Sequence, residues 1–463
     1  MNVLKQKLYR TQLNNQGNTM RNLALLSRWQ WLDERRMAAM QRQRLSDLLI
    51  HAYHYVPFYR QRLEEAGVCD GFSVNLDRFG RLALLDKADI RDRLDEMKSA
   101  DLEERRWYFN TSGGSTGDPV RFIQDKEYAD WTAAVKLLDD SWSGRRMGDR
   151  QIRLWGSERD LLVGRESLKT YVGRWVKNEI HLNAFRMTET QMDRYLRTID
   201  DFKPVQILAY ADSIDQLAQH AERTGTPAHR PRAIMTSAGT LFRPMRERIE
   251  RTFGCPVFDR YGSREVGDIA CECDHHEGLH VSVPTHYVEI LGPGGRPAAP
   301  GETGEIVVTL LTNYAMPIIR YRIGDLGAWA EGKCPCGRSY PLIGQLAGRV
   351  TDTFVTRSGT RVHGEYFTHL FYFQDWVKQF QVIQEDYARI RVVWVPGDRA
   401  DGRAKPGERA ISDIAGKIRL VMGGDCQVIF EERDDIPPSP SGKFRYTLSR
   451  VAEAHFAGEN AGT

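Results

Sequence analysis

Apolar positions outline this chain before any composition is counted. Leu45, Leu48, Leu49, Ala52, Val56 and Tyr59 recur near a 3.6-residue period, which predicts a helix with one buried face. Pro57 falls in its last turn and predicts an end or a kink there. Residues 1–107 read as mostly helical, with a short charged helix over 91–98. The texture changes at Trp107-Tyr108-Phe109. Residues 120–122 and 128–139 read as a strand and a helix leaving a glycine-rich loop. Beyond them apolar strands at 205–210, 233–237 and 256–258 alternate with amphipathic helices at 214–223 and 244–253. That rhythm predicts α/β architecture. Residues 287–291, 304–311 and 318–321 predict a β-rich subdomain, joined by a turn-rich connection at 292–300. After residue 349 strands at 353–356, 379–384, 390–395 and 427–430 accompany a helix at 411–421, a small α+β domain. The expected division is a large N-terminal domain over 1–347 and a small one over 348–463.

Length agrees with that division, because 463 residues exceed what one core usually organises. With 65 basic and 62 acidic residues the net charge is +3, so composition makes no case for a nucleic-acid or membrane-surface partner. Arg35-Arg36 and Arg145-Arg146 read as solvated helix faces. No run of 18 apolar residues is present, so no spanning helix is expected. The first residues lack the apolar core of a secretory leader, and the expected compartment is the cytoplasm. Seven cysteines, an odd number, argue against a disulfide framework.

Thr111-Ser112-Gly113-Gly114-Ser115-Thr116-Gly117 packs three glycines and four hydroxyls into seven residues. Glycine lets the backbone approach a ligand closely, and successive N–H groups with hydroxyls can cradle phosphate. The Walker A pattern is absent, and alone the stretch also fits a surface turn. Four further motifs follow in order: Tyr261-Gly262-Ser263-Arg264-Glu265, Tyr321-Arg322-Ile323-Gly324-Asp325, Gly348-Arg349-Val350-Thr351-Asp352 and Pro438-Ser439-Pro440-Ser441-Gly442-Lys443. Together the five resemble the signature of the adenylate-forming, acyl-CoA synthetase-like superfamily. His51-Ala52-Tyr53-His54-Tyr55-Val56-Pro57-Phe58-Tyr59, Gly364-Glu365-Tyr366-Phe367-Thr368 and Ser441-Gly442-Lys443-Phe444-Arg445 resemble its phenylacetate–CoA ligase-related branch, in particular the CapK-like group.

The resemblance implies ATP as co-substrate, AMP as product and Mg²⁺ at Glu265, a hard cation that prefers oxygen ligands. It implies adenine packing at Tyr261, with Ser237, Ala238 and Gly239 lining the adenine and acyl pocket and residues 208–212 a second candidate lining. Asp325 suits the ribose hydroxyls, since a carboxylate accepts two hydrogen bonds; a structural Arg322–Asp325 pair is the alternative. Arg349 is a second contact to ribose and phosphate. Lys443, on an exposed Ser-Pro-Ser-Gly tip, orients the carboxylate and stabilises charge at the α-phosphate. The small domain is expected to be a mobile lid. Its pivot stands at Thr351 or Asp352, where many relatives carry Asp or Lys two residues past the arginine.

Cys271-Glu272-Cys273-Asp274-His275-His276 and Cys334-Pro335-Cys336-Gly337 suit Zn²⁺, which takes thiolate and imidazole in closed tetrahedral sites. The expected set is Cys273, His276, Cys334 and Cys336, with Cys271, His275 or His280 able to replace one member; His280 alternatively faces the acyl pocket. The expected reaction is activation of a small carboxylic acid to an acyl-adenylate, followed by transfer to coenzyme A. Alternatives are transfer to an amine, hydroxyl or carrier, as in capsule modification, and a non-catalytic nucleotide- or zinc-dependent assembly module. A homodimer is possible.

Overall fold

The structure is a computed structural model that describes residues 3–112, 120–155, 168–184, 187–349, 353–358, 361–371, 374–399, 402–403, 406–437 and 444–452. The periodic apolar run lies in the helix Glu34–Tyr55, where Leu45, Leu48, Leu49 and Ala52 are all buried. Pro57 ends it: Val56 turns extended, and the proline opens a new helix, Pro57–Glu65. That position tolerates proline because a first-turn N–H has no helical partner.

A two-stranded hairpin of β1 (Trp107–Thr111) and β2 (Arg121–Asp125) precedes the helix Lys126–Trp142. Asp125 caps that helix, accepting from the Tyr128 N–H at 2.8 Å. The large sheet is built from β3 (Gln151–Trp155), β4 (Glu179–Asn183), β5 (Gln206–Tyr210), β6 (Ala233–Ser237), β7 (Val257–Ser263), β8 (Gly267–Glu272), β9 (Leu279–Val281), β10 (His286–Leu291), β11 (Gly304–Leu310), β12 (Tyr321–Trp329) and β13 (Leu342–Arg349). Its order is β10-β11-β12-β13-β9-β8-β7-β6-β5-β3-β4. Strands β4, β3, β5, β6 and β7 run parallel, and β7, β8, β9 and β13 pair antiparallel. The parallel half needs crossovers, supplied in part by the helices Ala211–Thr224 and Arg243–Phe253.

Alternation along the parallel strands sends Ile152, Leu154, Ile207, Ala209, Ile234 and Val257 to one face, packed on Leu196, Ile214, Leu217 and Phe253. Phe253→Ala is expected to destabilise this core by about 3–5 kcal/mol in chemical denaturation, because its ring is almost wholly enclosed.

The sequence expected a strand at 318–321, but β12 begins at Tyr321. Arg320 has φ +53°, a left-handed backbone that interrupts extended geometry. Its buried guanidinium is bonded to Glu289 at 3.0 Å and to the Gly80 carbonyl at 2.7 Å. Those bonds hold the residue there.

The chain divides into two compact units. One contains residues 1–289, 307–323 and 329–345; the other contains 290–306, 324–328 and 346–463. The second holds a four-stranded sheet, ordered Gln427–Glu432, Arg389–Pro396, Val377–Asp386, Thr447–Ser449. The helix Glu408–Met422 contributes Ile414, Ile418 and Met422 to its core, with Phe380, Val392 and Trp394.

Candidate active site and metal centre

The neck of the phosphate-loop candidate is a closed hairpin. Ser112 donates its N–H to the Val120 carbonyl at 2.8 Å, and its hydroxyl accepts from the Val120 N–H at 2.9 Å. Thr111 ends β1. Gly113, Gly114, Ser115, Thr116 and Gly117 lie outside the described residues, as do Val350, Thr351, Asp352 and Lys443.

The hairpin is bonded to the Glu265 motif. Gln124, on β2, donates its amide to the carbonyls of Arg264 at 2.9 Å and Glu265 at 3.4 Å. Gln124 pairs with Tyr108 across the hairpin, and Asn110, two residues further along β1, donates to the Gln124 side-chain oxygen at 3.0 Å. Arg264 returns a bond to the Thr111 carbonyl at 3.4 Å. Two motifs more than a hundred residues apart thus share one hydrogen-bonded frame. The sequence reading missed Asn110 and Gln124; their only signal is that both are amides beside the loop, a weak one.

Glu265 sits in the turn between β7 and β8 and is mostly buried. Gly262 is required there: a Cβ would collide with the Gly267 carbonyl oxygen and lie 2.9 Å from Asp268 Cα. Tyr261 is buried beside it, and the Ser263 hydroxyl is buried with no hydrogen-bond partner. One strand away, Ser237 pairs in register with Arg260 and with Tyr210 of β5. Ala238, just past the end of β6, has φ +66°. Strained left-handed backbone at a non-glycine residue is a recurrent mark of ligand sites. Gly239 follows, within 3.4 Å of the Asp212 carboxylate for a built Cβ. In the second unit, Asp325 lies in β12 and is partly exposed, and Arg349 ends β13. Arg322 lies 3.7 Å from Asp86.

Three of the four expected metal ligands come together, and the fourth is different. Cys273, Cys334, Cys336 and His280 place their donor atoms within 4.8 Å of one another. Cys273 Sγ is 3.5 Å from Cys334 Sγ, and Cys336 Sγ is 3.3 Å from His280 Nε2. A tetrahedral zinc with ordinary bond lengths separates its ligand atoms by about 3.3–3.8 Å, so the donor set fits. His276 is not part of it. Its backbone, at φ +54°, closes a turn onto the Cys273 carbonyl, and its ring meets Glu272 at 3.1 Å and packs on Phe258. His280 reaches the thiols from β9, which pairs with β13 at Leu342. Its Nδ1 lies 3.2 Å from the Tyr340 carbonyl. A carbonyl can only accept, so Nδ1 carries the proton and Nε2 keeps its lone pair for a ligand bond. Burial pushes the ring down to about 4. The Arg338 N–H also reaches Cys336 Sγ at 3.4 Å, while the Arg338 guanidinium stacks on Trp31 and Trp142.

Residues 354–450 match the CapK C-terminal domain family. The chain is 25% identical to phenylacetate–coenzyme A ligase of Thermus thermophilus over 442 residues, covering 90% of this chain and 97% of that one. Protein CapK of Staphylococcus aureus is 23% identical, with 89% of each covered. Among solved structures, 2-hydroxyisobutyryl-CoA ligase in the postadenylation state superposes with a TM-score of 0.70 at 20% identity, 94% of each chain covered. The fold is therefore that of the adenylate-forming ligases, a large N-terminal and a small C-terminal domain. The relatives it matches by sequence are phenylacetate–CoA ligases and CapK.

Proposed function

We propose that the chain activates a carboxylic acid with ATP and passes the acyl group to coenzyme A. The observation that carries this reading is the shared frame of Asn110, Gln124 and Arg264, which ties the phosphate-loop neck to the Glu265 turn. Its relatives of similar length, the phenylacetate–coenzyme A ligases, support the reading. In the first step a carboxylate oxygen attacks the α-phosphorus of ATP, the bond to the β-phosphate oxygen breaks, and pyrophosphate leaves. In the second a thiolate attacks the acyl carbon and AMP leaves. Glu265 is assigned to Mg²⁺, which screens the phosphate charge. Residues 113–117 and the αL turn at Ala238 are assigned to the nucleotide, with Tyr261 against adenine and Asp325 and Arg349 on the ribose. Lys443 serves the adenylation step. Cys273, His280, Cys334 and Cys336 are assigned to a structural Zn²⁺, since four protein ligands leave no open position.

A large domain over 1–347 with a lid over 348–463, a cytoplasmic location and a possible homodimer complete the reading. Among the described residues no helix is long and apolar enough to cross a membrane. The CapK match over residues 354–450 favours one second reading, in which an amine, hydroxyl or carrier accepts the acyl group. Acid-dependent pyrophosphate exchange over a carboxylic-acid panel tests the first step. AMP release with and without coenzyme A tests the acceptor. Exchange that coenzyme A fails to convert into a thioester favours the second reading; folded protein that exchanges with no acid defeats both.

A further inference from the structure

The face of the large sheet opposite its apolar core is charged. Because alternate residues of a strand share a face, Arg153, Tyr210, Ser237 and Arg260 lie away from the core that Leu154, Ala209, Ile234 and Val257 join. Arg260 stands beside Ser237, and Ser237 beside Tyr210. Trp155 packs against Tyr210 at a tilt of 38°, with ring centroids 4.2 Å apart. Lys136, from the helix Lys126–Trp142, points to the same place.

Three cations converge there on one carboxylate, that of Asp268. Arg260 Nη1 is 3.6 Å and Lys136 Nζ 4.0 Å from Asp268 Oδ2, and Arg153 also acts on it. Arg153 otherwise approaches Glu179, at 4.0 Å, which it shares with Arg145 and His181. The separations of Arg260 and Lys136 from Asp268, and of Arg153 from Glu179, exceed hydrogen-bond length. The buried Nε atoms of Arg153 and Arg260, and Asp268 Oδ2 itself, have no hydrogen-bond partner. Leaving such groups unsatisfied is costly, and for the two arginine Nε–H donors a ligand acceptor removes that cost.

The cluster is also reachable. The Lys136 and Arg153 side chains keep 48% and 29% of their surface exposed, whereas Arg260 keeps 5% and Asp268 13%. The cluster, termed the recess, therefore has two solvent-exposed cations, Lys136 and Arg153, over a buried ionic pair, Arg260 and Asp268. Counting Arg145, four cations face the carboxylates of Asp140, Glu179 and Asp268. Another acid nearby, Asp139, is pushed well above the usual carboxylate range by burial and by Asp268.

We propose that this recess binds the end of the acid substrate remote from the reacting carboxylate, and that this end carries a second anionic oxygen-acid group. The inference rests on the adenylation reading above and adds a substrate class to it. An aryl or alkyl terminus would leave the guanidinium donors unpaired, whereas a carboxylate accepts charge-assisted bonds from them.

The test is pyrophosphate exchange with phenylacetate, butanoate and hexanoate against succinate, glutarate and adipate. The dicarboxylates are expected to give at least about tenfold higher kcat/KM, the scale of one charge-assisted hydrogen bond. Arg153→Met and Lys136→Met should each erase that preference by lowering dicarboxylate exchange far more than monocarboxylate exchange, and Arg153→Lys should restore part of it. Melting temperatures establish that the variants are folded. Preference for the monocarboxylates in the wild-type protein overturns this inference and leaves adenylation standing. Exchange with neither set overturns both.

Discussion

Lys443→Ala is expected to lower acid-dependent pyrophosphate exchange by about a hundredfold to a thousandfold, the usual effect of deleting one group that stabilises transition-state charge. ATP binding, measured by titration calorimetry, should change far less, because the lysine is assigned to charge that develops only as the carboxylate meets the α-phosphate. A parallel loss of both would mean that the lysine holds ground-state ATP. Thioester formation from a synthetic acyl-adenylate and coenzyme A should survive the substitution, since no new bond to phosphorus is made there. Loss of that second half-reaction as well would sink the assignment to adenylation. The prediction rests on the position of Gly442-Lys443 after four motifs in matching order.

The second large effect concerns the thiol cluster. Purified protein is expected to contain about one zinc per chain by elemental analysis. Cys334→Ser should bring that close to zero and lower the melting temperature by about 5–10 °C, because metal-binding free energy in such sites is folding free energy. His280→Ala should behave similarly. His276→Ala should keep the metal, since the His276 ring is turned onto Glu272. Full zinc content in His280→Ala together with loss in His276→Ala would reverse the ligand assignment.

The contrast between His276 and His280 marks what the sequence can disclose. Cys334 and Cys336 were legible as a thiol pair from their spacing, and Cys273 from its place in a second short Cys/His run. His276 had the better spacing, three residues from Cys273. What decides against it is a left-handed backbone angle and a carboxylate neighbour, neither of which has a periodicity. His280 enters through strand pairing across some sixty residues, a tertiary fact. The strands at 205–210 and 233–237 and the helix between them were legible because their apolar patterns are strong. Strand β12 was displaced because Arg320 breaks a run that reads as continuous. The charged recess was invisible for a related reason. Lys136, Arg153, Arg260 and Asp268 are scattered through 130 residues, and each alone reads as a solvated charge.

The side chain of Gln124 has only one carboxamide, yet it serves two motifs. Its nitrogen holds the Arg264–Glu265 turn while its oxygen is held by Asn110. An amide cannot move one end without moving the other. Drift at either motif is therefore transmitted to its counterpart, and substitutions at Asn110 and Arg264 form an epistatic pair whose effects should not add. Such a coupling confines the routes by which this scaffold can change the chemistry at the two motifs.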